Sequence, residues 1–291
     1  MNSTGLYTLS MVIFGTLAPF TRRIAISSGE LALYRAVLGG GLIGGYLLIK
    51  RQNPFRGSSG RDSLLLLLSG GAMGINWILL FEAYRYTTVS TATLCYYFAP
   101  VLVTLLSPML FRERLTRRQL FCFAMATVGL VLITGWEPGS SLRGVLFGLG
   151  AAVFYAAVVL LNKYIRGIDG IGRTFLQFLA AIVTLIPYVA FTGGVTLDRL
   201  DNTGWLCLLI VGFCHTGVTY CLYFSSLKAL PGQRAAILSY IDPVTAVLVS
   251  VLVLREPLTL RQSIGGCLVL GFTLWNAMPE RTKRQETLSV K

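Results

Sequence analysis

Runs of apolar residues alternate along this chain with short polar or Gly/Pro-rich breaks. Ten of these runs approach the roughly 20 residues that a helix needs to cross a bilayer. They predict spanning helices at about 5–20, 30–49, 63–83, 89–111, 118–135, 144–164, 172–191, 204–226, 235–254 and 263–277. The first run is short enough to resemble a signal-peptide core. No positive segment precedes it, however, and Pro19 follows Ala18 where cleavage would fall, so it reads as a retained helix.

The pattern occurs twice, 143 residues apart. Phe111-Arg112-Glu113-Arg114-Leu115-Thr116 maps onto Leu254-Arg255-Glu256-Pro257-Leu258-Thr259 with Arg, Glu, Leu and Thr kept. The same offset carries Tyr97 to Tyr240, Pro100 to Pro243, Phe81 to Phe224, Ala92 to Ala235 and Gln119 to Gln262. A shared register through apolar segments and their turns indicates duplication of one structural unit. Duplicated halves in membranes commonly build a transport site where they meet.

Composition fixes the solvent. Hydrophobic residues are 54% of the chain and charged residues 13%, against about 25% charged in an average soluble domain; the mean hydropathy is +0.69. The net charge of +13 does not indicate nucleic acid, because the Lys and Arg lie between apolar runs rather than on one polar face. Counted by side, 17 basic residues fall in segments that share a side with the N-terminus and 7 on the opposite side, with Arg35 inside a run. The positive-inside rule then puts both termini in the cytoplasm. Five helices per repeat is an odd number, so the second copy enters the membrane inverted. The fold class expected is an all-α membrane protein of ten transmembrane helices in two inverted five-helix repeats, 1–137 and 138–279, followed by a polar basic cytoplasmic tail, 280–291.

All six cysteines fall inside apolar runs, so no disulfide framework is implied. Cys207, Cys214 and Cys221 are seven apart and are expected to share a helix face that permits close packing; no metal and no cofactor are expected. Thr116 with Gln119, and Thr259 with Gln262, read as capping boxes opening the fifth and tenth helices. Glu113 and Glu256, at the ends of the fourth and ninth helices beside Arg residues, read as helix-end ion pairs rather than substrate contacts. Three glycine pairs, Gly41/Gly45, Gly70/Gly74 and Gly144/Gly148, predict close helix contacts.

The candidate site lies at the middle of the bundle. Pro100 and Pro243 each break a spanning helix, which membranes tolerate where the break lines a cavity. Asp242 either caps the half-helix that Pro243 starts or, as an ionisable group near mid-bilayer, accepts a proton or a cationic substrate group. Ala99, its counterpart, offers no cap and leaves amide donors available to a carboxylate. Arg35 neutralises Asp242, meets an anionic substrate group or snorkels to the surface. His215 titrates or is simply hydrogen-bonded. Trp77, Tyr97, Tyr220 and Tyr240 either pack or form an aromatic wall suited to flat or cationic solutes.

Two Pro-containing helices, two Arg-Glu-x-Leu-Thr turns and a Gly-rich helix ending each half resemble the EamA family of the drug/metabolite transporter superfamily, over about 6–278. The resemblance implies a central cavity lined by helices 1–4 and 6–9, helices 5 and 10 at the periphery, and a bacterial inner membrane. It implies export of amino acids and other metabolites or uptake of small solutes. One departure is Ile13-Phe14-Gly15, where the family often has a Trp. The function expected is secondary transport of a small polar metabolite by alternating access, preferably efflux of an amino acid or related zwitterion. Uptake or facilitated diffusion of an amine, sugar or nucleoside is the alternative. An intramembrane enzyme, which would need clustered acids or a nucleophile with its base, or a receptor is the non-transport reading; an enzyme is not expected. Expected partners are the substrate and membrane lipid, with a coupling proton as an option and no nucleic acid, in a monomer or homodimer. No Gly-x-x-x-x-Gly-Lys-Ser/Thr motif occurs, so ATP coupling within this chain is not expected.

Overall fold

The computed structural model describes residues 2–55, 59–111, 115–133, 141–165, 168 and 170–278, and among them it contains helices and no strand. The helices are α1 (Ser3–Gly15), α2 (Leu17–Arg22), α3 (Ser28–Ile49), α4 (Gly60–Tyr86), α5 (Val89–Tyr96), α6 (Ala99–Phe111), α7 (Arg117–Ile133), α8 (Leu142–Tyr164), α9 (Gly170–Thr192), α10 (Asn202–Leu209), α11 (Thr219–Leu227), α12 (Gly232–Leu238), α13 (Ile241–Leu252) and α14 (Leu260–Ala277). A π-helical stretch, Ile210–Val218, joins α10 to α11. Among the described residues, seven helical stretches are long and apolar enough to cross a membrane: Ser3–Arg22, Ser28–Ile49, Gly60–Tyr86, Val89–Phe111, Leu142–Tyr164, Gly170–Thr192 and Asn202–Leu227. Helices also occupy the other three expected segments: α7 with 17 residues, α12 with α13, and α14 with 18.

Local chemistry starts these helices where the sequence places it. Thr259 and Gln262 exchange side-chain and backbone bonds in a capping box. Thr116 and Gln119 do the same at 2.8 and 3.2 Å. Ser27 with Glu30 and Ser59 with Asp62 make two further boxes. Each satisfies two of the amides that a helix start leaves without a partner.

Glycines set the closest approaches, though not all at the expected places. A Cβ on Gly70 would strike the Gln177 carbonyl and Ala180, and one on Gly144 or Gly148 would strike Thr87 or Cys95, so α4–α9 and α8–α5 pack nearly backbone to backbone. Gly41 and Gly45 meet nothing within 4 Å; their neighbours Gly39 and Gly44 make the contacts, onto Thr216 and Phe175. The buried face of α3 runs through Ala32, Ala36, Gly40, Ile43 and Leu47, and at about 100° per residue Gly41 and Gly45 lie off it. The shared cysteine face is also corrected. Cys207 is buried, Cys214 exposed and Cys221 between the two, because the π stretch changes the residues per turn between them and heptad spacing no longer returns to one face.

The helices of the first half pack chiefly on helices of the second. α1 lies on α11 and α13, α3 on α9 and the π stretch, α4 on α8 and α9, and α5 on α8 and α13. α7 and α14 form a pair of their own, crossing where Gly129 and Gly265 face each other's carbonyls.

Candidate functional site

Four irregularities of the backbone fall in the central helices. The first span kinks at Thr16, between α1 and α2. The helix breaks at Tyr97 and Phe98 between α5 and α6 and at Ser239 and Tyr240 between α12 and α13, and it widens into the π stretch between α10 and α11. Non-helical backbone at membrane depth persists where protein or a wet cavity satisfies it. The two prolines sit just inside the helices that restart, Pro100 second in α6 and Pro243 third in α13, where a missing N–H costs little.

Asp242 is not the cap that its place before Pro243 suggests. Helix α13 begins one residue earlier, at Ile241, with no side-chain cap. The carboxylate instead accepts a hydrogen bond from the Tyr97 hydroxyl at 2.6 Å. The two broken helices are thereby joined through residues of corresponding turns.

Arg35 enters from α3 and is 4% exposed. Its Nε donates to Thr216 Oγ1 at 2.9 Å, and its Cζ lies 4.6 Å from the Trp77 ring centre and 5.8 Å from that of Phe81. The aromatic faces favour the cation. Thr216 is fixed in turn because its hydroxyl donates to Val211 O, five residues back, a reach that the π stretch provides. No other hydrogen bond engages the guanidinium among the described residues, and no ion pair within 4.0 Å joins it to Asp242. A buried basic residue and a half-buried acidic one therefore stand in one bundle, each held by a neutral neighbour.

His215 lies on the same π stretch, with Nε2 3.1 Å from Thr16 Oγ1 and its ring 4.9 Å from Phe20. Thr16 Oγ1 also lies 2.8 Å from the Ile13 carbonyl, and His215 Nδ1 lies 3.4 Å from the Ile210 carbonyl, so the ring bridges two irregular segments. Trp77, Phe178, Tyr220 and Phe14 form a chain of edge contacts 5.2–5.4 Å apart. Tyr96 joins Tyr97 to Tyr155. Thus Arg35, Trp77, Tyr97, Tyr220, His215 and Asp242 all occupy the central bundle. Tyr240 lies half-buried on the α12–α13 turn, outside these ring contacts and hydrogen bonds.

Sequence reasoning missed Thr216, Thr16 and Phe178, whose roles depend on which helices meet. It also left Arg22 as a surface charge. Arg22 pairs with Glu256, whose carboxylate additionally accepts from Val89 N–H at 2.8 Å and from the Ser250 hydroxyl. Arg22 further donates to the carbonyls of Tyr84 and Thr87 at 3.0 and 2.8 Å. This cluster ties α2, α4, α5 and the end of α13 together at one mouth of the bundle. Glu256 is thus in a helix-end ion pair, whereas Glu113 lies outside the described residues. Beside the cluster, a cavity of about 490 Å³ is lined by Arg22, Arg85, Tyr84, Leu31 and Phe81 among others. Phe81 also contacts Arg35, so this space borders the residues around the buried cation.

The model of the EamA-like transporter family matches residues 5–135 and again 142–278. The chain belongs to the EamA-like transporter family. This EamA protein is a multi-pass membrane protein, similar to an uncharacterized transporter, YxxF, of Bacillus subtilis, at 33% identity over 82% of this chain and 78% of that one. It is also similar to an uncharacterized transporter of Archaeoglobus fulgidus, at 31% identity over 91% and 93% of the two chains. A solved crystal structure superposes with a TM-score of 0.64 over 93% of this EamA chain and 95% of its own, at 19% identity, which speaks to the fold alone.

Proposed function

We propose that this EamA protein is a secondary transporter of a small zwitterion, an amino acid or a close relative, and that Arg35 and Asp242 receive its two charged ends. The observation that carries the reading is the unpaired opposition of these residues. Burying an ionised group away from water is costly unless a partner compensates it, and intramembrane ionisable residues serve function by default. A substrate carboxylate on the guanidinium and a substrate ammonium on the carboxylate would complete both. Phe81, Trp77, Tyr97 and Tyr220 would surround the bound molecule.

Alternating access is proposed to follow from ten spanning helices in two inverted halves. Counting the spans in order, the packing supports a twofold relation. The first helix on the eighth is matched by the sixth on the third, the first on the ninth by the sixth on the fourth, and the second on the eighth by the seventh on the third. The second–seventh, fourth–ninth and fifth–tenth contacts are self-matched. Exchanging the halves leaves this set unchanged, as a pseudo-twofold axis requires. The Lys and Arg distribution supports cytoplasmic termini, which puts the Arg22–Glu256 cluster on the far side.

Counterflow in proteoliposomes tests the function. Internal unlabelled amino acid should drive uptake of labelled amino acid by the native chain, and R35Q and D242N should each abolish it while melting within a few degrees of the native protein. Full counterflow by either variant would refute the assignment.

A further inference from the structure

A second cavity, of about 330 Å³, runs along α6 from Pro100 to Pro108, with none of the Arg35–Asp242 contacts among its lining residues. It is bounded by α6, α7, the end of α8 and the end of α14, and its lining includes Thr104, Ser107, Gln119, Lys163 and Asn276. Asn276 is the informative residue. Its Nδ2 donates to Thr104 Oγ1 at 2.8 Å, and Thr104 gives its own proton to the Pro100 carbonyl at 3.0 Å. The amide orientation is therefore fixed, and Asn276 Oδ1 is left buried as an acceptor without a donor. Such an atom loses its hydration unless something in the cavity donates to it. The same cavity carries the Lys163 ammonium, which lies over the Phe111 ring. It also carries Gln119, whose Oε1 is already occupied by the Thr116 N–H, leaving its Nε2 to donate. A ligand suited to this set offers N–H donors at one point and an anion at another.

We infer that this cavity binds the headgroup of an aminophospholipid, the ammonium of phosphatidylethanolamine donating to Asn276 Oδ1 and its phosphate meeting Lys163 and Gln119. Charge and position favour a lipid over a soluble molecule. By the Lys and Arg distribution the cavity lies at the cytoplasmic membrane surface, where basic pockets between spanning helices take lipid headgroups. Its volume holds roughly ten waters, enough for phosphoethanolamine but not for acyl chains. Exposed apolar side chains of the same helices, Leu106, Met109, Leu120 and Phe121, provide a surface for those chains.

The test is native mass spectrometry of the full chain, delipidated in detergent and titrated with phosphatidylethanolamine or phosphatidylcholine. Choline has no N–H to give, so the native protein should bind phosphatidylethanolamine about tenfold more tightly, the worth of one charge-assisted hydrogen bond. N276L should lose that preference, and N276D, which keeps an acceptor, should retain it. K163Q should weaken both lipids alike. Free O-phosphoethanolamine at the lipid's concentration should leave the lipid bound; displacement by it would overturn the lipid as the ligand's source. Equal binding of the two lipids by the native chain, or an N276L variant of native melting temperature with its preference intact, would overturn the site itself.

Discussion

Replacing Glu256 by Ala removes three attachments from one mouth of the bundle at once. The Arg22 side chain is 30% exposed, so the ion pair itself contributes at most about 1 kcal/mol. The Val89 N–H is the first amide of α5 and has no partner within that helix. Losing its bond to a charged acceptor costs roughly 1.5–3 kcal/mol, and the buried Ser250 hydroxyl adds about 1 kcal/mol. The sum is about 4 kcal/mol. If these bonds form only while that mouth is closed, their loss shifts the closed–open balance by nearly three orders of magnitude, about 700-fold. Ser90 reports the opening, because its side chain is 1% exposed and its N–H donates to Ser250 Oγ at 3.2 Å, directly behind the cluster. Maleimide labelling of S90C, read by peptide mass spectrometry so that native cysteines are counted separately, measures the open fraction. E256A should accelerate that labelling by more than about 100-fold. E256Q keeps an oxygen for Val89 and Ser250, loses about 1 kcal/mol of ion pairing, and should accelerate it about fivefold. Unchanged labelling in E256A would show that the cluster is a fixed anchor present in every state, and the gating argument would fail.

Three further outcomes follow from single contacts. Gly15→Ala puts a Cβ 2.6 Å from the Asp242 carbonyl and from Thr245 Cβ; the overpacking should cost about 1–3 kcal/mol, visible as a lower melting temperature together with weakened transport. Thr216→Val removes the Oγ1 that holds the Arg35 Nε and should weaken substrate affinity about tenfold or more, whereas Thr216→Ser should bind nearly normally in the same titration. Arg255 has φ 54°, a left-handed conformation that closes the end of α13, so Arg255→Gly should stabilise the protein by about 0.5–1 kcal/mol in a melting experiment.

What the sequence discloses and what it hides divide along the range of the interactions. Capping boxes are decided within four residues, and the Thr-x-x-Gln pairs at 116 and 259 form as read. The helical stretches follow from apolar length alone, so every expected segment holds a helix. The π stretch has no local signal. Gly212 and Gly217 on it would collide with Leu38 and Leu42 if they carried a Cβ, so its register depends on the fit against α3, and with it go the Cys207–Cys214–Cys221 face and the bond from Thr216 to Arg35. Asp242 illustrates a competition between a local and a distant partner. Residue order suggests a cap, yet Tyr97, 145 residues earlier, takes the carboxylate and the helix starts without one. Arg22 and Glu256 are separated by most of the chain, and nothing in either neighbourhood names the other.

The claim that Arg35 and Asp242 divide the two charges of one substrate is tested most directly by binding, with ligands that carry both charges or only one. Purified protein should be stabilised against heating by an amino acid, since a ligand of the folded state raises its melting temperature. The matching amine without the carboxylate, and the matching acid without the ammonium, should leave it unchanged, and R35Q and D242N should abolish the shift caused by the amino acid. An equal shift from a singly charged analogue, or a native-sized shift in either variant, would contradict the account.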